Sequence, residues 1–172
     1  NKGQRSSVSQ DLTIGKPIDD MDGLLKWNLS KLANALQVRV NEARTYFRDG
    51  RKLSFLAEVV LAKELGMDKA ETEHKPYDLI DPNTNEKWEV RCMNRTVSFA
   101  PSNMTGANRG FNIEGFMEKL DICAGYIVCD IVEFPVVPYY IVKSSTVAEW
   151  FGSQRMSRTA LLTRKNFLQK MS

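Results

Sequence analysis

The chain has 172 residues, of which 42% are hydrophobic and 26% charged, with Lys+Arg 24 against Asp+Glu 21 and a single histidine. This length and apolar fraction fit one domain around one hydrophobic core and exclude a chain that is disordered throughout. No stretch approaches the roughly 18 to 20 apolar residues of a membrane span, and residues 1–10 are too polar for a signal peptide, so we expect an intracellular, cytoplasmic protein with no membrane partner.

The first part of the chain is predicted to be helical. Residues 1–20 show little periodicity and are interpreted as a tail or arm. An apolar stripe with the spacing i, i+4, i+7 and i+11 predicts an amphipathic helix. The stripe consists of Leu25, Leu29, Leu32 and Leu36. A second helix is predicted over 37–48, so residues 21–52 are expected to form a helical extension.

A turn signal at residues 49–50 precedes a third helix, predicted to begin after the N-cap Ser54 and to end at Leu65 before Gly66. Glu58 lies in the middle of an apolar arc of this helix, formed by Phe55, Leu61, Ala62 and Leu65. Because a buried carboxylate needs a compensating group, we expect a basic side chain, a hydrogen-bond donor or a metal ion beside it. The alternative is a Glu58 side chain that reaches solvent or pairs with a Lys or Arg.

The second part of the chain alternates short β-prone runs with helical ones. Five strands are predicted, over 77–81, 87–93, 96–99, 125–131 and 138–142. Asn112 is predicted to cap a helix between the third and fourth strands, and residues 144–172 are predicted as a basic helical region. This order predicts a single α/β domain with helices on a mixed central sheet, in which residues 53–143 form the core.

Charge is partitioned along the chain, although the formal net charge is only +3. Residues 58–89 hold nine acidic residues and four lysines, whereas residues 151–172 hold five basic residues and no acid. Basic residues also dominate 37–52 and 90–113. An acidic centre between basic segments suggests a cation site beside a surface that binds a polyanion; the alternative is a set of solvated charged faces.

Two carboxylates lie on the first two predicted strands, which are joined by a turn at residues 82–85. Strand alternation places Glu89 and Arg91 on one face of the second strand and its apolar side chains on the other. Asp78 lies on the neighbouring strand. The carboxylates of Asp78 and Glu89 together form a site for Mg²⁺, which prefers oxygen ligands and activates water and phosphate. Arg91 would face the negative charge that develops in the reaction. The alternative is a surface hairpin with solvated charges.

Three short motifs follow one another within residues 53–143. A helix with Glu58 is followed by Tyr77-Asp78-Leu79, a turn, and Glu89-Val90-Arg91. This arrangement resembles the PD-(D/E)xK nucleases, the restriction-endonuclease-like superfamily, whose αβββαβ core has the same order of elements. The resemblance implies a Mg²⁺-dependent phosphodiesterase that acts on nucleic acid. The candidate catalytic residues are then Glu58, Asp78, Glu89 and Arg91, with Asp78 and Glu89 as metal ligands and Glu58 as an auxiliary acid.

Arg91 departs from the family pattern, which has lysine at this position. A guanidinium can position water or stabilise charge but can hardly act as a base. Three explanations stay open: an active variant, an inactive nucleic-acid-binding relative, or a lysine supplied from elsewhere, for which Lys52 and Lys143 are candidates. Asp81 is a second candidate ligand, although strand alternation places it on the other face.

A polar segment, residues 101–111, follows the third predicted strand and is rich in Ser, Asn, Gly and Arg. Small polar side chains and an arginine can donate hydrogen bonds to phosphates and base edges. We therefore predict a substrate-recognition loop whose nucleic-acid-binding residues are Ser102, Asn103, Thr105, Asn108 and Arg109. The alternative is an ordinary polar connection.

The resemblance and the charge pattern together lead us to expect a Mg²⁺-dependent endonuclease that cleaves double-stranded DNA, of the site-specific, type II restriction-like kind. Cleavage of both strands favours a homodimer, because duplex DNA has two-fold symmetry. Its interface is expected on the leucine-striped helix or on the C-terminal helices. The alternatives are a catalytically inactive nucleic-acid-binding module of the same fold and a regulatory protein that binds an acidic partner.

Overall fold

The computed structural model describes residues 21–104 and 109–172. In these residues a six-stranded mixed sheet carries helices on both faces, which confirms the predicted α/β class. The elements in chain order are β1 (Gly23–Lys26), α1 (Leu29–Leu36), α2 (Val40–Phe47), α3 (Gly50–Leu65), β2 (Asp68–Lys69), β3 (Leu79–Ile80), β4 (Lys87–Met93), β5 (Thr96–Ser98), α4 (Ile113–Ile122), β6 (Gly125–Asp130), β7 (Val136–Lys143), α5 (Ser144–Gly152), β8 (Leu161–Thr163) and α6 (Arg164–Met171).

The strands of the large sheet follow the spatial order β1-β7-β6-β4-β3-β2. β4 and β6 run parallel, with Glu89 opposite Tyr126, and the other neighbours are antiparallel. A parallel pair needs a long crossover, and here the crossover contains α4. The path of the chain therefore brings α4 to the start of β4, where Glu89 lies.

Two hydrophobic cores cover the two faces of the sheet. Ile127 and Cys129 of β6 pack with residues of α1, α2 and α3, whereas Tyr126 and Val128 pack with residues of α4, α5 and α6. Successive side chains of a strand point to opposite faces, so one strand serves both cores. All six residues of β6 are buried, as its continuous apolar run predicts.

The predicted N-terminal helix is wrong over its first residues. Residues 23–26 form β1, which pairs antiparallel with β7, and α1 begins only after Asn28, whose Oδ1 accepts a hydrogen bond from the Lys31 N–H at 3.0 Å. Positions four apart share a face in a strand as well as in a helix, so Leu25 and Leu29 do not distinguish the two. Both are buried inside the chain, whereas Leu36 at the end of α1 is 50% exposed, so only the later part of the predicted stripe lies at the surface.

The third helix begins four residues before the predicted N-cap. Asp49 caps it, with its Oδ1 accepting from the Arg51 N–H at 2.9 Å, so the predicted turn is the helix start itself. Gly66 ends the helix in the left-handed region at φ 66°, as predicted. Glu58 consequently lies in the middle of α3, over the sheet.

The third predicted strand does not join the large sheet. β5 pairs antiparallel with β8, Thr96 opposite Thr163, in a two-stranded sheet. The C-terminal region is therefore not wholly helical, since β8 separates α5 from α6.

No helix in residues 21–104 and 109–172 has the length and apolar character needed to cross a membrane.

Candidate active site

Glu89 is a charged side chain held at the centre of the fold, only 5% exposed. Its Oε1 accepts a hydrogen bond from Lys119 Nζ at 2.5 Å, and its Oε2 lies 3.6 Å from Arg91 Nη1. The shared face of Glu89 and Arg91 is thus as predicted from strand alternation. Two cations from different elements offset the cost of burying this carboxylate.

Asp78 lies directly before β3 and contacts Glu89. Its Oδ2 accepts from the Val90 N–H at 2.8 Å, and its carboxyl group is hydrogen-bonded to that of Glu89. Burial, together with the hydrogen bond and negative charge of Glu89, raises the pKa of Asp78 to about 8. Although burial acts in the opposite direction, the hydrogen bond from Asp78 and the charges of Arg91 and Lys119 hold the pKa of Glu89 below its ordinary value. The two pKa values are therefore moved in opposite directions, and the pair favours one proton over two negative charges.

Glu58 completes a group of three carboxyls. Its Oε2 lies 3.5 Å from Lys69 Nζ, and its side chain is hydrogen-bonded to Asp78. Burial raises its pKa, even though Lys69 acts to lower it. The compensating groups that we expected beside Glu58 are thus Lys69 on β2 and the carboxyl of Asp78.

The apolar arc predicted around Glu58 is partly wrong. The sheet-facing stripe of α3 consists of Leu53, Ala57 and Leu61, whereas Phe55 is 59% exposed. The Phe55 ring carries Lys69 Nζ at 3.9 Å from its centre. Because Glu58 follows Ala57 on the helix, it lies at the border of the buried stripe, where its carboxyl reaches the edge of β3.

Lys119, which the sequence reasoning missed, is the cation closest to the carboxyls. It lies on α4, is 11% exposed, and donates from Nζ to Pro76 O at 2.7 Å as well as to Glu89. Its one signal in the sequence is its place next to Leu120, at the border of the apolar stripe of the helix. The two lysines proposed from the sequence lie elsewhere: Lys52 Nζ is 4.1 Å from the Tyr46 ring centre, and Lys143 is exposed at the end of β7.

The Arg91 guanidinium is engaged by the backbone that leads into residues 101–111. Nε donates to Ser98 O at 3.1 Å, and Nη2 donates to Ala100 O at 2.9 Å. Arg91 therefore joins β4 to the start of the predicted recognition loop.

Asp81, the other candidate ligand, belongs to the turn, since its Oδ1 accepts from the Asn83 N–H at 2.9 Å.

The predicted nucleic-acid-binding residues are described in part. Ser102 and Asn103 are exposed on a short 3-10 turn, and Arg109 Nη1 donates to Ser102 O at 3.2 Å. Thr105 and Asn108 lie outside the described residues. The described members thus form one exposed group that follows directly on the backbone held by Arg91.

The donor set of the site suits a hard cation, although the described part of the chain contains no group of three or more His, Cys, Asp or Glu side chains that could hold a metal ion. Mg²⁺ needs fewer ligands, because it binds through one or two carboxylates and keeps several waters. Asp78 and Glu89 meet that requirement with two carboxyl groups in contact. The raised pKa of Asp78 indicates that positive charge, here a proton, is favoured at this pair of carboxyls.

Comparisons of the chain with protein-family models, with curated proteins and with solved structures found no match. The chemistry of the chain therefore has to be inferred from the site. The carboxyls of Asp78 and Glu89, with Glu58 and a nearly buried lysine beside them, can bind a divalent cation through the first two, orient water and place a positive charge beside an anionic substrate.

Proposed function

We propose that the protein is a Mg²⁺-dependent endonuclease with a restriction-endonuclease-like core that hydrolyses phosphodiester bonds in DNA. The observation that carries the proposal is the contact between the Asp78 and Glu89 carboxyls, with Lys119 Nζ 2.5 Å from Glu89. Buried carboxyls forced together are unfavourable unless a ligand or a reaction uses them. Metal-assisted hydrolysis of a phosphodiester is the reaction class that needs this set of groups.

The order of elements from α3 to β7 supports the proposed fold. α3 carries Glu58, the segment before β3 carries Asp78, β4 carries Glu89, and the α4 crossover leads to β6 and β7. β5 pairs with β8 and not with β4, so the antiparallel three-stranded meander of the large sheet consists of β2, β3 and β4. This departure from the predicted order of strands lies beyond the carboxyls and leaves their arrangement intact.

Each residue of the site has a distinct part in the proposed reaction. Asp78 and Glu89 would hold the ion, which supplies the charge that polarises the phosphate and acidifies a bound water. Asp78 gives up its proton when positive charge takes that place. Glu58 supplies an acceptor that can orient water. Lys119 Nζ fixes the Glu89 carboxylate and places a donor where a phosphate oxygen approaches.

Double-stranded DNA is the proposed substrate because basic residues are exposed outside the site. Arg155, Arg158 and Lys165 are exposed in the C-terminal region, which holds no acid from residue 151 onward. Lys and Arg side chains bind the phosphate backbone whatever the sequence. Cleavage of both strands further favours a homodimer, since the two strands are related by two-fold symmetry.

Supercoiled plasmid DNA tests the proposal. The wild-type protein should nick or linearise it with Mg²⁺ and be inactive in EDTA, and Asp78→Asn or Glu89→Gln should lower the rate on the order of a thousandfold. Asp81→Asn is the matched control, because Asp81 lies in the adjoining turn outside the carboxyl group, and it should cleave like wild type. DNA binding without Mg²⁺-dependent nicking by the wild type would overturn the proposal and leave a nucleic-acid-binding module.

A further inference from the structure

Three successive backbone carbonyls, those of residues 98–100, are each bound by a side chain of the central sheet. Arg91 Nε donates to Ser98 O at 3.1 Å, and Arg91 Nη2 donates to Ala100 O at 2.9 Å. The Tyr126 hydroxyl donates to Phe99 O, the carbonyl between them, at 2.8 Å. Two neighbouring strands thus fix the backbone at the point where it leaves β5.

The same two side chains also border the carboxyl group. Tyr126 lies opposite Glu89 in the pairing of β4 with β6, and the Arg91 guanidinium carbon is 5.9 Å from the Tyr126 ring centre. The remaining Arg91 nitrogen, Nη1, faces Glu89 Oε2 at 3.6 Å. One planar guanidinium therefore connects the site to two carbonyls of the following segment.

The far end of the segment is seated on the helix that carries Lys119. The Asn112 N–H donates to Met104 Sδ at 3.4 Å. A Cβ added to Gly115 would lie 2.3 Å from Met104 Cε, so the absence of a side chain at Gly115 makes room for Met104. Residues 98–104 are held at one end by Arg91 and Tyr126 and at the other by α4.

We infer that Arg91 and Tyr126 form a positioning clamp that presents Ser102, Asn103 and Arg109 to the phosphate backbone of DNA bound at Glu89. The inference rests on the proposed function and adds the substrate-holding surface to it. Arg91 acts here as a positioning residue. The clamp also accounts for arginine at this position, because a lysine has a single nitrogen and cannot hold two carbonyls in a fixed plane while facing Glu89.

Two variants test the clamp through different atoms. Tyr126→Phe removes one hydroxyl and no charge, and Arg91→Lys keeps the charge but loses the planar fork. Each should raise KM for duplex cleavage by about fivefold or more, the effect of one lost hydrogen bond, with kcat within about twofold of wild type. Each should also speed cleavage by trypsin after Arg109. Arg95→Lys, an exposed arginine beyond the end of β4, is the matched control and should change nothing.

A kinetic pattern of the opposite kind would overturn the clamp. If Arg91→Lys lowered kcat at constant KM while Tyr126→Phe matched wild type, Arg91 would act on the reacting atoms instead. An unchanged trypsin rate in both variants would equally contradict it. If the wild type cleaves no DNA, the proposed function fails, whereas the trypsin rates still decide whether Arg91 and Tyr126 hold the segment.

Discussion

Two acidic side chains buried in neighbouring strands, Asp130 in β6 and Glu89 in β4, are neutralised in different ways. Asp130 is 1% exposed and accepts from Arg164 Nε at 3.1 Å on both oxygens and from Nη2 at 2.8 Å on Oδ2. One carboxylate meets one guanidinium in a planar pair. Glu89 has Lys119 and Arg91 as cationic neighbours but also a second carboxyl, Asp78, in contact with it.

The difference separates a structural ion pair from a candidate site. The Asp130 pair is complete, because both oxygens and the facing nitrogens bind each other. Glu89 instead contacts a second carboxyl, that of Asp78. A proton on the pair relieves the repulsion between the two negative charges. Asp78 also accepts from the Val90 N–H at 2.8 Å, and under the proposed function it is the second carboxyl that holds the cation.

The largest expected effect is on the structural pair. Arg164→Met leaves Asp130 buried without a cationic partner, and the free energy of unfolding should fall by about 3–5 kcal/mol. Urea unfolding at pH 7 measures it. Arg158→Met, a change of an exposed arginine in the same region, should change stability little, and an equally small loss in Arg164→Met would show that the pair is not structural.

The next effect falls on the site. Lys119→Met removes the cation nearest Glu89, and kcat for DNA cleavage should fall about a hundredfold, as for the loss of one donor that faces developing negative charge. Lys119→Arg should retain part of the rate. Lys143→Met is the control, because Lys143 is exposed at the end of β7. Equal rates for the Lys119→Met and Lys143→Met variants would exclude Lys119 from the reaction.

A smaller effect follows from the proton held by Asp78. Its pKa of about 8 in the folded protein exceeds the ordinary value near 3.9, so between about pH 5 and pH 8 the folded state keeps a proton that the unfolded chain has lost. Stability without divalent cations should therefore fall as pH rises through this window, by at most about 1.4 kcal/mol per pH unit, and level off above it. The lowered pKa of Glu89 acts only at acid pH.

Urea unfolding in EDTA at several pH values measures this slope. Asp78→Asn should remove most of it, because an amide has no proton to lose, and should leave the variant more stable than wild type above pH 8. Asp81→Asn should keep the wild-type slope. Parallel curves for wild type and Asp78→Asn would show that the carboxyl pair does not share a proton.

Local patterns were sufficient for some elements and for the carboxyls. The strand 87–93 has the bounds of β4, and Asn112 caps α4 through its Oδ1 at 2.9 Å from the Gly115 N. Asp78 and Glu89 could be paired from the sequence because a short turn joins their strands. Long-range contacts could not be predicted from local patterns. Lys119 contacts Glu89 across 30 positions of the chain. β8 pairs with β5 only after the chain has passed through α4, β6, β7 and α5.

The most direct test of the account is a crystal grown with Mn²⁺ and examined at a wavelength where manganese scatters anomalously. The account predicts an anomalous peak within about 2.0–2.3 Å of carboxylate oxygens of both Asp78 and Glu89, present in Arg91→Lys and lost in Asp78→Asn. Crystals in which the two carboxyls remain in contact and no peak lies between them at saturating Mn²⁺ would contradict it.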